Sequence, residues 1–380
     1  MPPEYVGILL NAKTHRGARI GRTGEEKLTL YETVSACYGL KPCYLRLDEI
    51  DLNSGTSYAY LQEQDSFRKI HLPTPKVIHN RAIYKSPSAL RKITKLKEQG
   101  IMIFNHQTRY SKEAIHRLLA QHPVLARMQP ASCRATRQHI GVMMQRYSDL
   151  LLKPASGSVG KGILRLKQDM HGWTLIYRPS GTRGGWQELR LGKHPRLPGW
   201  IIRRLSSVPY IIQERLPLAE LEGRPLDVRV SIQRGITGDW AITGLYAKVS
   251  APGSFLSNLA QGGIAYPAAE VFNRVFPPFM AMHALRECQS LALTAARFLS
   301  DHLPLLADLG IDIGVTKYGR AYLIECNGRD QRYGFRKAGM EEVWVDTYRQ
   351  PMAFARYLLQ QVHDIPDPLQ NNRMLQKSFL

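Results

Sequence analysis

The stretch Leu309-Gly310-Ile311-Asp312-Ile313-Gly314-Val315, followed after Lys317-Tyr318-Gly319-Arg320 by Ala321-Tyr322-Leu323-Ile324-Glu325-Cys326-Asn327, decides how this chain is read. Two apolar runs flank a turn-like tetrapeptide, the signature of a β-hairpin. With Tyr318-Gly319 as a two-residue turn, Asp312 stands directly opposite Glu325, their Cβ atoms roughly 5 Å apart. Like charges so placed on apolar strands are unfavourable unless a cation or a proton intervenes. Asn327 lies two residues beyond Glu325 and shares its face, while Ile324 and Cys326 face the other way. Three oxygen-bearing side chains therefore converge, and an oxygen-only set suits Mg2+, or Mn2+, which keeps several waters and takes substrate phosphates. The competing reading is a surface hairpin with solvated acids. It is disfavoured by Ile311, Ile313, Val315 and Ile324, a buried pattern on which unpaired acids are costly.

A second segment, Lys153-Pro154-Ala155-Ser156-Gly157-Ser158-Val159-Gly160-Lys161-Gly162-Ile163, is glycine-rich. It is not a Walker A loop, because Ala155 stands where the first glycine belongs and Gly162 replaces the Ser or Thr. Leu150 to Leu152 before it and Ile163 to Leu166 after it read as strands. The loop is then a hairpin tip whose bare backbone N–H groups can close over phosphates, with Lys153 adding positive charge. Taken alone, it fits a glycine hairpin without a ligand equally well.

Working outward, alternation of strand and helix over Tyr5 to Phe104 predicts an α/β domain, with Gly39 and Gly100 placed as helix C-terminal stops. Helices follow over Lys112 to Leu119, capped by Ser111, and from Thr136 to Tyr147. Strands then dominate, and long amphipathic helices are predicted over Met282 to His302 and Val343 to Val362. At 380 residues, two or three interlocked domains are expected. The expected divisions are an α/β front domain at 1–105, an α+β unit with the glycine loop at 106–205, an α+β unit with the metal residues at 206–363, and a peripheral tail at 364–380.

The chain carries 52 Lys and Arg against 31 Asp and Glu, a net charge of +21, enough to attract anions. No RNP-like motif, zinc finger or basic low-complexity arm accompanies it, so a nucleic-acid partner is the weaker reading and a polyanionic substrate or acidic neighbour the stronger. Five scattered cysteines without a CxxC pair point away from zinc and disulfides. No long apolar run or secretory leader is evident, so a cytoplasmic protein without a membrane association is expected. The 12 histidines form no HExxH arrangement and receive no catalytic role.

Taken together, the motifs resemble the ATP-grasp superfamily in order as well as content. They are most similar to the endospore-coat-associated ATP-grasp proteins of spore-forming bacteria, through Lys153 to Ile163, Ser257-Asn258-Leu259-Ala260-Gln261-Gly262-Gly263 and Leu309 to Gly314. The resemblance spans roughly 105–345 and, more weakly, the front domain. It implies an α/β pre-grasp domain followed by two α+β subdomains clasping ATP. It further implies that Lys153, Ser156, Gly157, Ser158, Gly160, Lys161 and Gly162 meet the nucleotide, with Gln213 and Glu214 in the adenine hinge. Asp227 would lie near the ribose, Asn258 near the phosphates, and Arg137 is a further phosphate candidate. Arg229 and Lys248 take the catalytic positions. Relatives often carry arginine where Lys248 stands, a change that keeps the charge and loses the bidentate fork. Asp312, Glu325 and Asn327 match the metal ligands.

The function so implied is an ATP- and Mg2+-dependent carboxylate–amine or carboxylate–thiol ligase working through an acyl phosphate. Its carboxylate substrate is unknown, with an acidic peptide or polymer favoured by the charge, and its setting is related to the spore coat and its proteins. A coat or scaffold protein that binds nucleotide without turnover is the first alternative, and a nucleic-acid-binding basic protein the second.

Overall fold

A computed structural model of the chain describes residues 4–64, 66–155, 160–179, 185–193 and 195–364. It contains three six-stranded sheets, one for each successive part of the chain.

The first sheet, ordered β4-β3-β2-β1-β5-β6, is built from β1 (Glu4–Leu9), β2 (Leu40–Asp51), β3 (Thr56–Glu63), β4 (Ser66–Pro73), β5 (Val77–Asn80) and β6 (Met102–Phe104). β1 runs parallel to β2 and β5, and β5 to β6, as the strand–helix alternation requires. Helices α1 (Ala12–Ala18), α2 (Leu28–Ala36) and α3 (Pro87–Glu98) accompany it. Gly39 and Gly100 adopt φ of +66° and +82° just after helices, the left-handed stop expected of them. The β3–β4 hairpin was not expected. β4 is an edge strand carrying Arg68, Lys69 and His71, which blunt the edge and dilute its apolar alternation.

Helices α4 (Lys112–Leu119) and α5 (Pro123–Arg127) lead into the second sheet, ordered β11-β10-β9-β8-β12-β7. Ser111 caps α4 by accepting the Ala114 N–H at 3.0 Å. The sheet consists of β7 (Ser132–Arg134), β8 (Asp149–Pro154), β9 (Leu164–Asp169), β10 (Gly172–Tyr177), β11 (Gln187–Gly192) and β12 (Tyr210–Glu214), with α6 (Arg137–Arg146) and α7 (Gly199–Ser207) packed on it. β8 and β9, which flank the glycine segment, pair antiparallel, Leu150 with Leu166 and Leu152 with Leu164.

The third sheet runs β16-β15-β14-β17-β18 with β13 beside β14. Its strands are β13 (Glu220–Leu221), β14 (Arg224–Arg234), β15 (Trp240–Val249), β16 (Ile264–Pro267), β17 (Asp308–Val315) and β18 (Ala321–Asn327). Helices α8 (Ala268–Val275), α9 (Pro278–His302), α10 (Tyr333–Lys337) and α11 (Glu341–Asp364) accompany it. α9 buries Ala281, Ala284, Cys288, Ala292, Ala295 and Ala296, a stripe of small residues that lets it lie close on the sheet. α11 turns back: Tyr348, Met352, Phe354 and Leu358 share a core with Val6, Ile8 and Phe104 of the front sheet and Tyr31 of α2. Helix α11 thereby joins the third part of the chain to the first.

The decisive hairpin corrects one expectation. Val315 pairs with Ala321, Gly314 with Tyr322 and Ile313 with Leu323, and the Thr316 N–H donates to Arg320 O at 2.9 Å. The loop is therefore the three residues Lys317-Tyr318-Gly319, with Gly319 left-handed at φ +77°. A bulge between Ile313 and Asp312 then restores the expected register, so that Asp312 does pair with Glu325. The extra residue is Ile324. Expected to face away, it lines the same cavity as Asp312 and Glu325, because a bulge suspends strict alternation.

Candidate active site

Strand register assembles the site. Across the third sheet, Lys248 on β15 pairs with Asp227 on β14, Arg229 on β14 with Asp312 on β17, and Asp312 with Glu325 on β18. Arg229 grips Asp312 in a bidentate fork, Nε to Oδ1 at 2.8 Å and Nη2 to Oδ2 at 3.1 Å. Lys248 Nζ donates to Asp312 Oδ1 at 2.7 Å and stands 2.7 Å from Asp227 Oδ1. Ser257 donates to the other Asp227 oxygen. These five residues are buried or nearly so.

Burial alone would raise the Asp312 carboxyl, but Arg229 and Lys248 outweigh it and hold the group well below the usual carboxylate range. Burial likewise works against the charged Lys248, and Asp227 and Asp312 overcome it, lifting its pKa. At Asp227 burial wins and the pKa rises, although Lys248 pulls the other way. Cys326, beside both acids, is pushed up to about 12, mainly by burial, and is a poor nucleophile at neutral pH.

Two residues of the site had no place in the sequence reading. Lys112, on the first turn of α4, donates to Glu325 Oε2 at 2.6 Å. Asp330, three residues past Asn327, accepts from Arg229 Nη1 at 3.0 Å and from Ser231, and its carbonyl accepts from Arg81 at 2.9 Å. The sequence carries no local signal for Asp330, because its partners Arg229 and Ser231 lie 101 and 99 residues away. For Lys112 the only cue is its place beside the capping Ser111; its partner lies 213 residues away.

A cavity of about 120 Å³ is walled by Lys153, Gly160, Lys161, Asp227, Lys248, Asn258, Asp312 and Glu325. The far side of the glycine loop is thus brought onto the charged face of the third sheet. Gly160, at φ +69°, lies so close to Asn258 that a Cβ there would meet Asn258 Nδ2 at 2.5 Å. Lys153 donates to Gln213 Oε1 at 2.5 Å, and its pKa falls to about 8 through burial and then through Lys112. Glu214 accepts from the Ala131 N–H at 3.3 Å. Asn327 lines a second, larger cavity of about 470 Å³ that shares Lys112, Lys153, Ile324 and Glu325 with the first. Arg137 is exposed at the start of α6 and borders neither cavity. Ser156, Gly157 and Ser158 lie outside the described residues.

The expected metal ligands meet side-chain cations here. Arg229 and Lys248 neutralise Asp312 and Lys112 neutralises Glu325, so the like charges are offset without a metal. Among the described residues, no group of three or more His, Cys, Asp and Glu side chains is gathered as a metal cage. The opposed Asp312 and Glu325 on the cavity wall, with the Asn327 amide beyond, nevertheless fit a hard cation that needs few protein ligands and completes its shell with phosphate and water.

A model of the YheC/D-like ATP-grasp family matches residues 100–358, which span the loop, the charged strands and the hairpin. The chain belongs to this ATP-grasp family. It is 26% identical over 328 residues to the endospore coat-associated protein YheD of Bacillus subtilis (strain 168), covering 84% of this chain and 71% of that protein. It is 21% identical over 324 residues to the endospore coat-associated protein YheC of the same organism, with coverages of 83% and 88%. Among solved structures it resembles the ATP-grasp ligase PsnB complexed with minimal precursor, at a TM-score of 0.51 and 13% identity, over 91% of this chain and all of that one. At that identity the likeness carries the fold. An ATP-grasp architecture, expected from the motifs, is what the three sheets form. No described helix is long and apolar enough to cross a membrane.

Proposed function

We propose that this ATP-grasp chain is an ATP- and Mg2+-dependent ligase that activates a carboxylate as its acyl phosphate and delivers it to an amine or thiol. The observation that supports this most directly is that Lys248, Asp312 and Glu325, on strands of one sheet with Arg229 gripping Asp312, share a cavity wall with Gly160, Lys161 and Asn258. In the first step a substrate carboxylate oxygen attacks the γ-phosphorus and the bond to the ADP oxygen breaks. In the second the amine attacks the acyl carbon, phosphate leaves, and a proton is lost from nitrogen. Both steps gather negative charge on oxygen. Lys153, Lys161 and Lys248 supply fixed positive charge in a confined cavity, where it acts more strongly than in water. Arg229 is held by Asp330 and Asp312 in one orientation, so its charge needs no rearrangement. Asp312, Glu325 and Asn327 would hold the metal, which supplies charge neutralisation on the phosphates.

A spore-coat setting for this chain rests on the two relatives named endospore coat-associated. Those names also favour a second reading, a coat protein that binds nucleotide without turnover. ADP release by purified protein with MgATP and candidate carboxylates separates the two. Glu325→Gln is expected to abolish turnover with the melting temperature nearly unchanged, because the half-buried Lys112–Glu325 pair contributes no more than about 1 kcal/mol. Full activity in that variant defeats the metal assignment, and absence of ATP binding by calorimetry defeats both readings.

A further inference from the structure

The larger cavity extends well beyond the two nucleotide-assigned residues on its wall, Lys153 and Gln213. Gly160, Lys161, Asp227, Lys248 and Asn258 border only the smaller one. The larger cavity opens instead toward the linker helix α4, the β7–α6 corner and Ile83 of the front domain. At about 470 Å³ it lies within the roughly 300–1,000 Å³ that ligand sites span. Its wall is strongly basic: Arg109, Lys112, Arg117, Arg134, Lys153 and Arg329 against Glu113 and Glu325. Arg117 and Arg134 are exposed and form no ion pair with any described carboxylate. A wall with six cationic side chains against two carboxylates calls for a ligand rich in acceptors and negative charge.

We infer that this cavity is the acceptor site for an acidic peptide carrying at least two carboxylates, one at Arg117 and Arg134 and the reacting one where the two cavities meet at Lys112 and Glu325. The inference rests on the ligase reading for the identity of the reacting group, and on the cavity alone for the binding of the peptide. Guanidinium forks favour planar carboxylates, and with Arg117 five residues along α4 from Lys112, two spaced carboxylates engage both in a way that a single acid does not.

The test is binding of a fluorescein-labelled tetraglutamate peptide to the full chain, read by anisotropy and compared with tetra-alanine. Tetraglutamate is expected to bind and tetra-alanine not. Arg117→Glu and Arg134→Glu, both surface changes, are each expected to weaken binding by about tenfold or more. Lys95→Glu on α3, away from the cavity, is the control for attraction to the net charge of +21 and is expected to leave binding unchanged. Equal affinity for the two peptides overturns the inference. So does indifference to the Arg117 and Arg134 reversals, or an equal loss with Lys95→Glu. Displacement of the peptide by a non-hydrolysable ATP analogue with Mg2+ also overturns it, because the cavity would then belong to the nucleotide. Calorimetry with ATP is a separate readout: ATP binding without peptide binding sinks this inference and spares the ligase reading, while peptide binding without ATP binding does the reverse.

Discussion

At the scale of single residues, the site depends on how Arg229 is held. Its guanidinium has acids on two sides, Asp312 on the cavity wall and Asp330 behind, and Asp330 is itself fully buried. Gly310, paired with Asn327 on the neighbouring strand, leaves the space in which that contact forms. A Cβ at Gly310 would stand 2.4 Å from Asp330 Oδ1 and 2.7 Å from Arg229 Nη1. Gly310→Ala is therefore expected to destabilise the fold by about 1–3 kcal/mol, as overpacking does, and to impair turnover beyond what the loss of folded protein explains. Asp330→Asn keeps the shape and removes the charge. It is expected to lower kcat with little change in the KM for ATP, because Asp330 positions Arg229 and touches no cavity-lining nucleotide residue. Thermal unfolding together with steady-state ADP release checks both, and unchanged kcat in Asp330→Asn refutes the positioning role.

At the scale of elements, the β17–β18 hairpin carries Asp312 and Glu325, the proposed metal pair, at the end of a register set by its turn. Gly319 sits at φ +77° and Met280 Cγ lies 2.9 Å from where its Cβ would be. Gly319→Ala is expected to cost on the order of 1–2 kcal/mol in chemical denaturation, whereas Gly319→Asn, which tolerates the left-handed region, costs less. Equal losses would mean that contact with Met280 dominates over backbone strain. Much of this hairpin was legible in the sequence, because its apolar runs and acids obey local rules that act within a few residues. The bulge at Ile324 was not, since nothing local distinguishes a two-residue turn from a three-residue loop compensated one pleat further on. The same contrast holds elsewhere. Helix α4 and strand β15 fall where the periodicity predicts them. The β3–β4 hairpin escaped because edge strands are selected for charge rather than alternation. Lys112 and Asp330 escaped because their partners lie far away in the chain, where spacing carries no information.

At the scale of the whole molecule, a buried ionic chain ties the front sheet to the ATP-grasp body. Arg81 on the front domain reaches Glu26 at 3.1 Å, Asp308 of β17 at 3.0 Å and the carbonyl of Asp330, while Arg332 closes the ring onto Asp308 at 2.8 Å and Tyr31 at 2.9 Å. Asp330 thus links this chain to Arg229, so front-domain position and site geometry share one set of contacts. His79 sits inside it, fully buried, stacked on Phe104 with ring centroids 4.5 Å apart. Its Nε2 is 3.3 Å from Asp308 Oδ2 but poorly aligned for a hydrogen bond. Burial drives its pKa down to about 4 from 6.5, against the pull of Asp308 and helped by the nearby Arg332 and Arg81. The folded protein therefore keeps His79 neutral over a range in which the unfolded chain binds a proton. Stability is full above pH 6.5 and is lost as the pH falls from about 6.5 to 4, by on the order of 3 kcal/mol from this group. Glu26, held at about 2 chiefly by Arg81 and Arg332 against its burial, adds a separate loss that begins only below about pH 4.5. Urea denaturation of wild type and His79→Gln between pH 7 and 4.5 resolves the two. The wild-type free energy of unfolding is expected to slope down through this window and that of the variant to slope less, with His15, His106 and His116, also lowered by burial, supplying the slope that remains. Parallel slopes would place the proton uptake on another group and detach His79 from the coupling between front domain and site.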